Sequence, residues 1–211
     1  MKAPLVIATG NPHKVSELRA VFAERGVNVI GLSDVPVTFQ EPHETGRTFE
    51  ENAAIKARGY AAQSGLWCLA DDSGLEVDAL AGAPGVISSH YSTGGVETGL
   101  DRAARDEANN AFLLRKLDGV PPAQRRARFV CVMCVSDPAG QVRLSSRGTF
   151  EGRIGLPGEV PRGAHGFGYD PLFVIDDGRT SAELAPDEKN QRSHRGAAAR
   201  DMARRLQSLH D

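Results

Sequence analysis

The sequence lacks the features that membranes, secretion and nucleic acids require. No uninterrupted apolar run approaches the ~20 residues that span a bilayer, and the apolar stretch in the N-terminal MKAPLVIATGN is too short for a signal peptide. Lysine plus arginine (25) nearly cancel aspartate plus glutamate (27), so no basic field attracts a polyanion. We expect a cytoplasmic protein that binds neither membranes nor nucleic acids.

The chain is also poor in residues that bind transition metals or form disulfides. Its three cysteines are an odd number, and CVMC at 131–134 has the CxxC spacing of metal and redox sites. That segment is part of the apolar run ARFVCVMCVSD, which predicts a buried strand whose residues three apart point to opposite faces. We therefore expect buried thiols. The six histidines include no close pair, so we expect no zinc site.

The sequence does contain alternating strand and helix patterns in a chain of 211 residues, 40% of them hydrophobic, enough for a sizeable core. Apolar runs predict strands at 4–8, 27–32, 66–70, around 130, at 141–154 and at 172–175. Helical spacing predicts helices at 12–26, 48–65, 100–117 and 193–209. Because strands alternate with helices and DPAG marks one hairpin, we expect an α/β fold with a mixed β-sheet.

The turn ATGNPHK, residues 8–14, leads from the first strand into the first helix. This arrangement aims free backbone N–H groups and the positive helix end at an anion. Thr9, Asn11 and Lys14 would add donors and charge to the turn around Gly10. The segment is not a P-loop, because no second glycine precedes the lysine. Ordinary turn chemistry remains the commoner explanation for such a segment.

The second helix begins with a T-x-x-E capping box at Thr48 and Glu51. Thr48, Asn52 and Lys56 recur every four residues and therefore share one face of the helix. This stripe is either a binding face or a solvated one, and without other evidence the solvated face is the simpler interpretation.

Acidic residues suggest a cation site. Asp71 and Asp72 follow an apolar strand in ADDSGL, where we expect a turn at the end of the strand. A divalent cation or a shared proton would relieve their repulsion. An Asx turn explains the pair equally well. Glu41 and Glu44 in EPHETG offer further oxygen ligands, and a magnesium ion bound to phosphates needs only one or two carboxylates.

Two further segments carry candidate ligand contacts. GFGYDP places Phe167 and Tyr169 between glycines, which suits either a stacked flat ligand or a tight structural turn. EKNQRSHRG places Lys189, His194 and Arg195 near the start of the last helix. Cations there oppose the helix dipole, so an anionic or carbonyl-rich ligand would explain them better than stability does.

Five of these segments together resemble the Ham1/RdgB family of inosine and xanthosine triphosphate pyrophosphatases. They are TGNPHKVSE, ETGRTFEENAAIKA, DDSGLEVDALAGAPG, GFGYDP and EKNQRSHR, in the family's order and covering nearly the whole chain. Two positions depart from the family pattern. His90 stands where an arginine is common, and His43 precedes Glu44 where many relatives carry another acidic residue.

The resemblance implies one domain, residues 1–211, with an elongated mixed sheet flanked by helices, two lobes and a nucleotide cleft between them. It also implies a homodimer and a Mg²⁺-dependent hydrolysis of non-standard purine nucleoside triphosphates (ITP, dITP, XTP) to the monophosphate and pyrophosphate. Asp72 would orient or deprotonate the attacking water, and Asp72 and Glu44 would hold the metal. Substrate binding is assigned to Thr9, Gly10, Asn11, Lys14, Lys56, Ser73, Phe167, Gly168, Tyr169, Asp170, Lys189, His194 and Arg195.

Base choice would follow from hydrogen-bond polarity. Hypoxanthine and xanthine carry a 6-oxo acceptor that His194, Arg195 or the backbone N–H groups of 167–170 could satisfy, whereas the 6-amino group of adenine would leave donors facing donors. Two alternatives are a related Maf-type pyrophosphatase that acts on other bases, and a nucleotide-sensing module that binds without hydrolysis. SHR with GFGYDP argues against the first, and the intact acidic and lysine positions argue against the second.

Overall fold

The structure is a computed structural model that describes residues 4–208, without the side chains of Pro12, His13 and Glu17. Leu209, the expected end of the last helix, and His210 lie outside the described residues. None of the helices in the described part of the chain is both long enough and apolar enough to cross a membrane.

A six-stranded mixed sheet forms the framework, which confirms the expected α/β class. Strand β1 pairs in parallel with β2 and β3, and β5 pairs antiparallel with β6. The order across the sheet is β2-β1-β3-β4-β5-β6. The strands are β1 Leu5–Ile7, β2 Val29–Gly31, β3 Cys68–Val77, β4 Arg126–Ser136, β5 Val142–Ile154 and β6 Phe173–Val174. The five α-helices in the described residues are α1 Pro12–Ala23, α2 Phe49–Ser64, α3 Arg102–Lys116, α4 Pro186–Arg192 and α5 His194–Gln207.

The chain divides into two compact units. The first consists of Met1–Asp72, Cys131–Gly148 and His194–Asp211, and the second of Ser73–Val130 and Thr149–Ser193. Three strands therefore contribute residues to both units: β3 between Asp72 and Ser73, β4 between Val130 and Cys131, and β5 between Gly148 and Thr149.

The core of the first unit lies between the sheet and two helices, α1 and α5. Side chains of β1 and β3 pack with Leu18 and Phe22 of α1, and with Met202 and Leu206 of α5. Helix α2 lies against the opposite face of β3, where Ser64 Oγ is 3.3 Å from Cys68 Sγ. Because successive strand residues point to opposite faces, each face of β3 meets a different helix layer.

The core of the second unit is built on aromatic and branched side chains. The Phe173 ring lies 4.5 Å from the Phe129 ring and 5.6 Å from the Phe150 ring, measured between centroids. Leu113 and Leu117, from α3 and its C-terminal end, complete this cluster and are fully buried. Helix α3 is thereby fixed on the core by its apolar side, and its polar side is left for other contacts.

The cysteines are buried free thiols, as the sequence predicted. Cys131 belongs to the core beneath α1 and α5. Burial raises the pKa of the Cys131 thiol to about 12 and that of Cys134 to about 11. Burial therefore favours the neutral, less reactive form of these thiols.

One expectation about local structure was wrong, and one helix was missed. The DDSG segment is not a turn, because β3 continues through it to Val77. Its glycine is required by packing, since a Cβ on Gly74 would lie 2.3 Å from Ser88 Oγ and 2.7 Å from the carbonyl oxygen of Gly85. Lys189, expected near the start of the last helix, lies in a separate helix, α4, that was not predicted, and one extended residue, Ser193, stands between α4 and α5.

Candidate active site

Strand β3 carries the two adjacent aspartates on opposite faces of the sheet. Asp71 points to the same face as Leu69, toward α1 and α5, whereas Asp72 points to the face of Cys68, toward α2. Each carboxylate meets a cation from the helix layer on its own side. The pair therefore forms two separate clusters, and the Asx turn considered from the sequence is wrong.

Asp71 is the centre of a buried ion cluster. Its side chain is 2% exposed, and Lys14 Nζ donates to its two oxygens at 2.9 and 3.1 Å. Arg195 Nε lies 3.7 Å from the same carboxylate. Burial acts to raise the pKa of Asp71, but Lys14 and Arg195 hold that pKa well below its usual range. The carboxylate thus ties the start of α1 to the start of α5, and the cation at the start of α5 has a partner inside the protein.

Asp72 belongs to the second cluster. Lys56 Nζ lies 3.1 Å from Asp72 Oδ1 and 3.0 Å from Glu44 Oε2, so one ammonium group bridges two carboxylates. Of the two glutamates considered, Glu44 is therefore the one that pairs with Lys56, and both are exposed. Burial raises the pKa of Asp72, the attraction of Lys56 lowers it and the repulsion of Glu44 raises it again, giving a pKa of about 6.

The start of α2 fixes this cluster. Thr48 Oγ1 accepts a hydrogen bond from the Glu51 N–H at 3.1 Å, and the Glu51 carboxylate accepts one from the Thr48 N–H at 3.3 Å, which completes the predicted capping box. The Asn52 side chain, which is buried, accepts a hydrogen bond from the Gly46 N–H at 2.8 Å. The face shared by Asn52 and Lys56 is therefore not solvated.

The turn after β1 is open. Thr9 Oγ1 accepts a hydrogen bond from the Asn11 N–H at 3.2 Å, and the Asn11 carbonyl accepts the first bond of α1 from Val15. Gly10 is exposed, and a Cβ there would meet no atom within 4 Å. The turn lines a cavity of about 340 Å³, together with Ser16, Arg19 and Ser33. Its predicted contact with phosphate stays a prediction.

In the second unit, the GFGYDP segment exposes one of its two aromatic rings to solvent and buries the other. Phe167 is 44% exposed, whereas Tyr169 is 4% exposed and donates from its hydroxyl to the Ser88 carbonyl at 2.8 Å. The Tyr169 ring is therefore part of the core, and its predicted contact with substrate stays a prediction. Asp170 is also buried, and it binds Ser181 Oγ at 2.8 Å and Lys189 Nζ at 2.5 Å.

The backbone of this segment is already hydrogen-bonded. The Phe167 N–H donates to Asp170 Oδ2 at 2.8 Å, the Gly168 N–H to Asp106 Oδ2 at 2.8 Å, and the Asp170 N–H to the Phe167 carbonyl at 3.3 Å. These three N–H groups, considered from the sequence as partners of a 6-oxo group, have internal acceptors. The remaining candidates for that role are the Tyr169 N–H and the side chains of His194 and Arg195.

Three further residues expected at the site lie in different elements of the fold. Ser73 follows Asp72 in β3 and is half-buried. His194 is the buried first residue of α5. Gly168 has the left-handed backbone conformation, with φ of +60°.

Sequence reasoning missed the residues of α3 that contact this segment: Arg102, Asp106 and Asn110. Their spacing of four was a signal for one helix face. Nothing in the sequence showed what that face contacts.

The carboxylates suit magnesium better than a transition metal. Within residues 4–208, no group of three or more histidine, cysteine, aspartate or glutamate side chains could hold a metal ion. Asp72 Oδ2 is buried and accepts no hydrogen bond from any residue that the structure describes. A buried oxygen without a partner, with Glu44 on the same lysine, fits a Mg²⁺ ion that takes its other ligands from phosphates and water.

The fold and this site define an α/β protein with a lysine and carboxylate cluster suited to a phosphate-bearing ligand. Residues 5–205 match the model of the Ham1 family. The chain belongs to that family.

Proteins of known name and structure agree with this assignment. A dITP/XTP pyrophosphatase of Exiguobacterium sp. is 51% identical over 94% of this chain and 94% of its own length. One of Nitratidesulfovibrio vulgaris is 50% identical over 94% of this chain and 93% of its own. The structure of a HAM1 protein from Coxiella burnetii has 37% identity and a TM-score of 0.83, over 97% of this chain and 98% of that chain.

Proposed function

We propose that the protein hydrolyses non-standard purine nucleoside triphosphates (ITP, dITP and XTP) to the monophosphate and pyrophosphate. The observation that carries this proposal is the cluster in which Lys56 of α2 bridges Asp72 of β3 and Glu44, which precedes α2. It occurs in a chain that is 51% and 50% identical to relatives named dITP/XTP pyrophosphatase.

The lysines would neutralise the triphosphate. Phosphate oxygens repel an attacking water, and a cation beside them reduces that repulsion. Lys56, bridging two carboxylates, is placed to exchange one of them for a phosphate oxygen. Lys14, with Thr9, Gly10 and Asn11, would bind phosphate at the open turn, and Asp71 would hold the Lys14 ammonium group in position.

Asp72 and Glu44 would hold the metal. When bound there, Mg²⁺ polarises the phosphate oxygens and stabilises the pyrophosphate leaving group. Asp72 also orients the water that attacks the α-phosphorus. A pKa of about 6 makes Asp72 a better proton acceptor than an ordinary carboxylate but still a weak base toward water, so positioning contributes more than proton abstraction.

Base recognition would rest on an aromatic surface and on donors. The exposed Phe167 ring offers a stacking surface, beside the Gly168 backbone and with Lys189 anchored on Asp170. His194 and Arg195 would donate to the 6-oxo group that hypoxanthine and xanthine share. A site built on such donors rejects an analogue that leaves them unpaired by roughly 10⁴-fold or more.

The testing experiment is a substrate panel. Purified protein with Mg²⁺ receives ITP, XTP, GTP or ATP, and chromatography identifies the products. Monophosphate plus pyrophosphate from ITP and XTP, with GTP and ATP nearly untouched, is expected. Release of orthophosphate, or equal hydrolysis of all four, would contradict the proposal.

A pair of matched variants tests the assigned residue. Asp72→Asn should reduce kcat to below roughly one-thousandth, as loss of a metal ligand and water-positioning group does. Glu50→Gln is the control, because Glu50 is an exposed carboxylate of α2 that pairs with Arg147. Near-normal turnover by folded Asp72→Asn would refute the role of Asp72.

We also propose that the protein works in the cytoplasm as a Mg²⁺-dependent homodimer. The support is the family membership together with the near-neutral charge of the chain. Sedimentation equilibrium measures the assembly state, and a monomer at micromolar concentration would contradict the dimer. Activity that survives removal of all divalent metal by EDTA would contradict the metal requirement.

A further inference from the structure

One polar face of α3 contacts the GFGYDP segment at three points. The Arg102 guanidinium lies 4.2 Å from the centroid of the Phe167 ring. Asp106 Oδ2 accepts a hydrogen bond from the Gly168 N–H at 2.8 Å, and Asn110 Nδ2 donates to the Gly168 carbonyl at 3.0 Å. Because the three α3 residues are four positions apart, they form one stripe along the helix. We call Arg102, Asp106 and Asn110 the α3 clamp.

The clamp holds a residue that would otherwise have considerable freedom. Gly168 has a positive φ of +60°, and a Cβ there would meet nothing within 4 Å. Glycine moves between left- and right-handed conformations at little cost. Both polar groups of Gly168 are instead bound by α3 side chains, one of them charged. The position of the neighbouring Phe167 therefore depends on these hydrogen bonds as well as on those between Phe167 and Asp170.

The clamp also keeps an apolar ring at the surface. Phe167 is 44% exposed, although its neighbour Tyr169 is buried. Arg102 at 4.2 Å and Lys189 Nζ at 5.7 Å from the ring centroid stabilise the ring by cation–π attraction. An exposed ring that is fixed in one orientation before a ligand arrives lowers the ordering cost of binding a flat molecule.

We infer that the α3 clamp is a set of positioning residues that fix Phe167 and Gly168 as the platform for the purine base. The inference rests on the proposed function and deepens it, since it assigns substrate affinity to residues of α3. The clamp acts on the free protein and contacts no reacting atom. Loss of the clamp should therefore weaken the binding of the substrate and of the transition state to the same extent. Such a change raises KM and leaves kcat nearly unchanged.

The test combines a variant, a rescue and a control on one helix. Asp106→Ala removes the acceptor of the Gly168 N–H and should raise KM for ITP about tenfold, the effect of one hydrogen bond to a charged group. Asp106→Asn keeps an acceptor oxygen and should restore most of the affinity. Glu107→Ala removes an equal charge from the adjacent exposed position and should leave KM unchanged.

A second readout does not depend on turnover. Amide hydrogen exchange of the nucleotide-free protein should show faster exchange across 166–170 in Asp106→Ala, by about tenfold, and not in Glu107→Ala. Calorimetric titration with ITP in EDTA should show a matching rise in Kd for Asp106→Ala. Unchanged exchange, or faster exchange with unchanged KM and Kd, would overturn the inference. A kcat loss with unchanged KM would overturn it as well.

These readouts separate the inference from the proposed function. If wild-type protein binds ITP without hydrolysing it, and Asp106→Ala weakens that binding, the reaction is wrong and the clamp stands. If wild type hydrolyses ITP and Asp106→Ala matches it in KM, Kd and exchange, the clamp is wrong and the reaction stands. Wild-type protein that neither binds nor hydrolyses ITP would overturn both.

Discussion

Replacing Asp71 by asparagine tests whether the buried ion cluster holds the first unit together. The change keeps the shape of the side chain and removes its charge. Lys14 and Arg195 would then face a neutral amide, and Arg195, whose side chain is 8% exposed, would remain buried without its carboxylate. Breaking a buried pair by removing one partner costs about 3–5 kcal/mol.

The lower end of that range applies here. The Lys14 side chain is 21% exposed, so water can solvate its ammonium group after the change, whereas Arg195 has little access to water. A loss of about 3 kcal/mol corresponds to a fall in Tm of roughly 6–12 °C for a chain of this length. Thermal unfolding followed by circular dichroism at pH 7 measures it.

An exposed ion pair in the same unit supplies the control. Arg19 and Asp34 lie 2.5 Å apart, with side chains 47% and 43% exposed. Such a surface pair contributes about 0–1 kcal/mol, so Asp34→Asn should lower Tm by less than roughly 4 °C. Equal shifts in the two variants, or a shift below about 2 °C in Asp71→Asn, would refute the assignment of a structural role to Asp71.

The stability difference between wild type and Asp71→Asn should depend on pH in a defined direction. The pKa of Asp71 is lower in the folded state than in the unfolded state. At pH values between these two pKa values the unfolded state binds more protons, so the free energy of unfolding rises with pH in that range. The stabilisation is present above the ordinary aspartate pKa of about 3.9 and is lost as pH falls below it. The difference between wild type and Asp71→Asn should therefore shrink in acid. A difference that grows in acid would contradict this reasoning.

Three further predictions concern the other features. In the nucleotide-free protein, protons should compete with metal at Asp72, so the affinity for Mn²⁺ measured by electron paramagnetic resonance should fall up to tenfold per pH unit below about 6; a flat profile would contradict the raised pKa. Iodoacetamide at pH 8 should leave the three thiols of folded protein unmodified and alkylate all three in urea, as mass spectrometry would show; fast native labelling would refute their burial. Gly74→Ala should lower the free energy of unfolding by about 1–3 kcal/mol in urea denaturation, because its Cβ would lie 2.3 Å from Ser88 Oγ; an unchanged midpoint would contradict the close packing.

Features set by neighbouring residues could be predicted from the sequence. The capping box of Thr48 and Glu51, and the left-handed Gly65 that ends α2, depend on contacts within a few residues. The burial of Cys131 followed from the apolar run around it. Helix α4 was missed: the predicted last helix began at residue 193, and the seven residues of α4 end immediately before it.

Features set by distant contacts could not be predicted. Phe167 and Tyr169 are both aromatic residues flanked by glycine, and the sequence did not distinguish them. What buries Tyr169 is the core around it and the Ser88 carbonyl, 81 positions away in the chain. Gly74 looked like a turn glycine because the close approach of Ser88 is a tertiary contact. Local patterns therefore located the site segments, but they did not show which side chains in these segments are exposed to a ligand.

The two adjacent aspartates show how one strand can separate a structural task from a chemical one. Alternation along β3 sends Asp71 and Asp72 to different helix layers, and the pKa values then move in opposite directions. Asp71, met by two cations, stays charged and is unavailable to a metal without loss of the anchor between α1 and α5. Asp72 shares one lysine with Glu44 and keeps a buried oxygen without a hydrogen bond. Excess negative charge at that cluster favours a divalent cation, so the metal should bind at Asp72 and not at its neighbour.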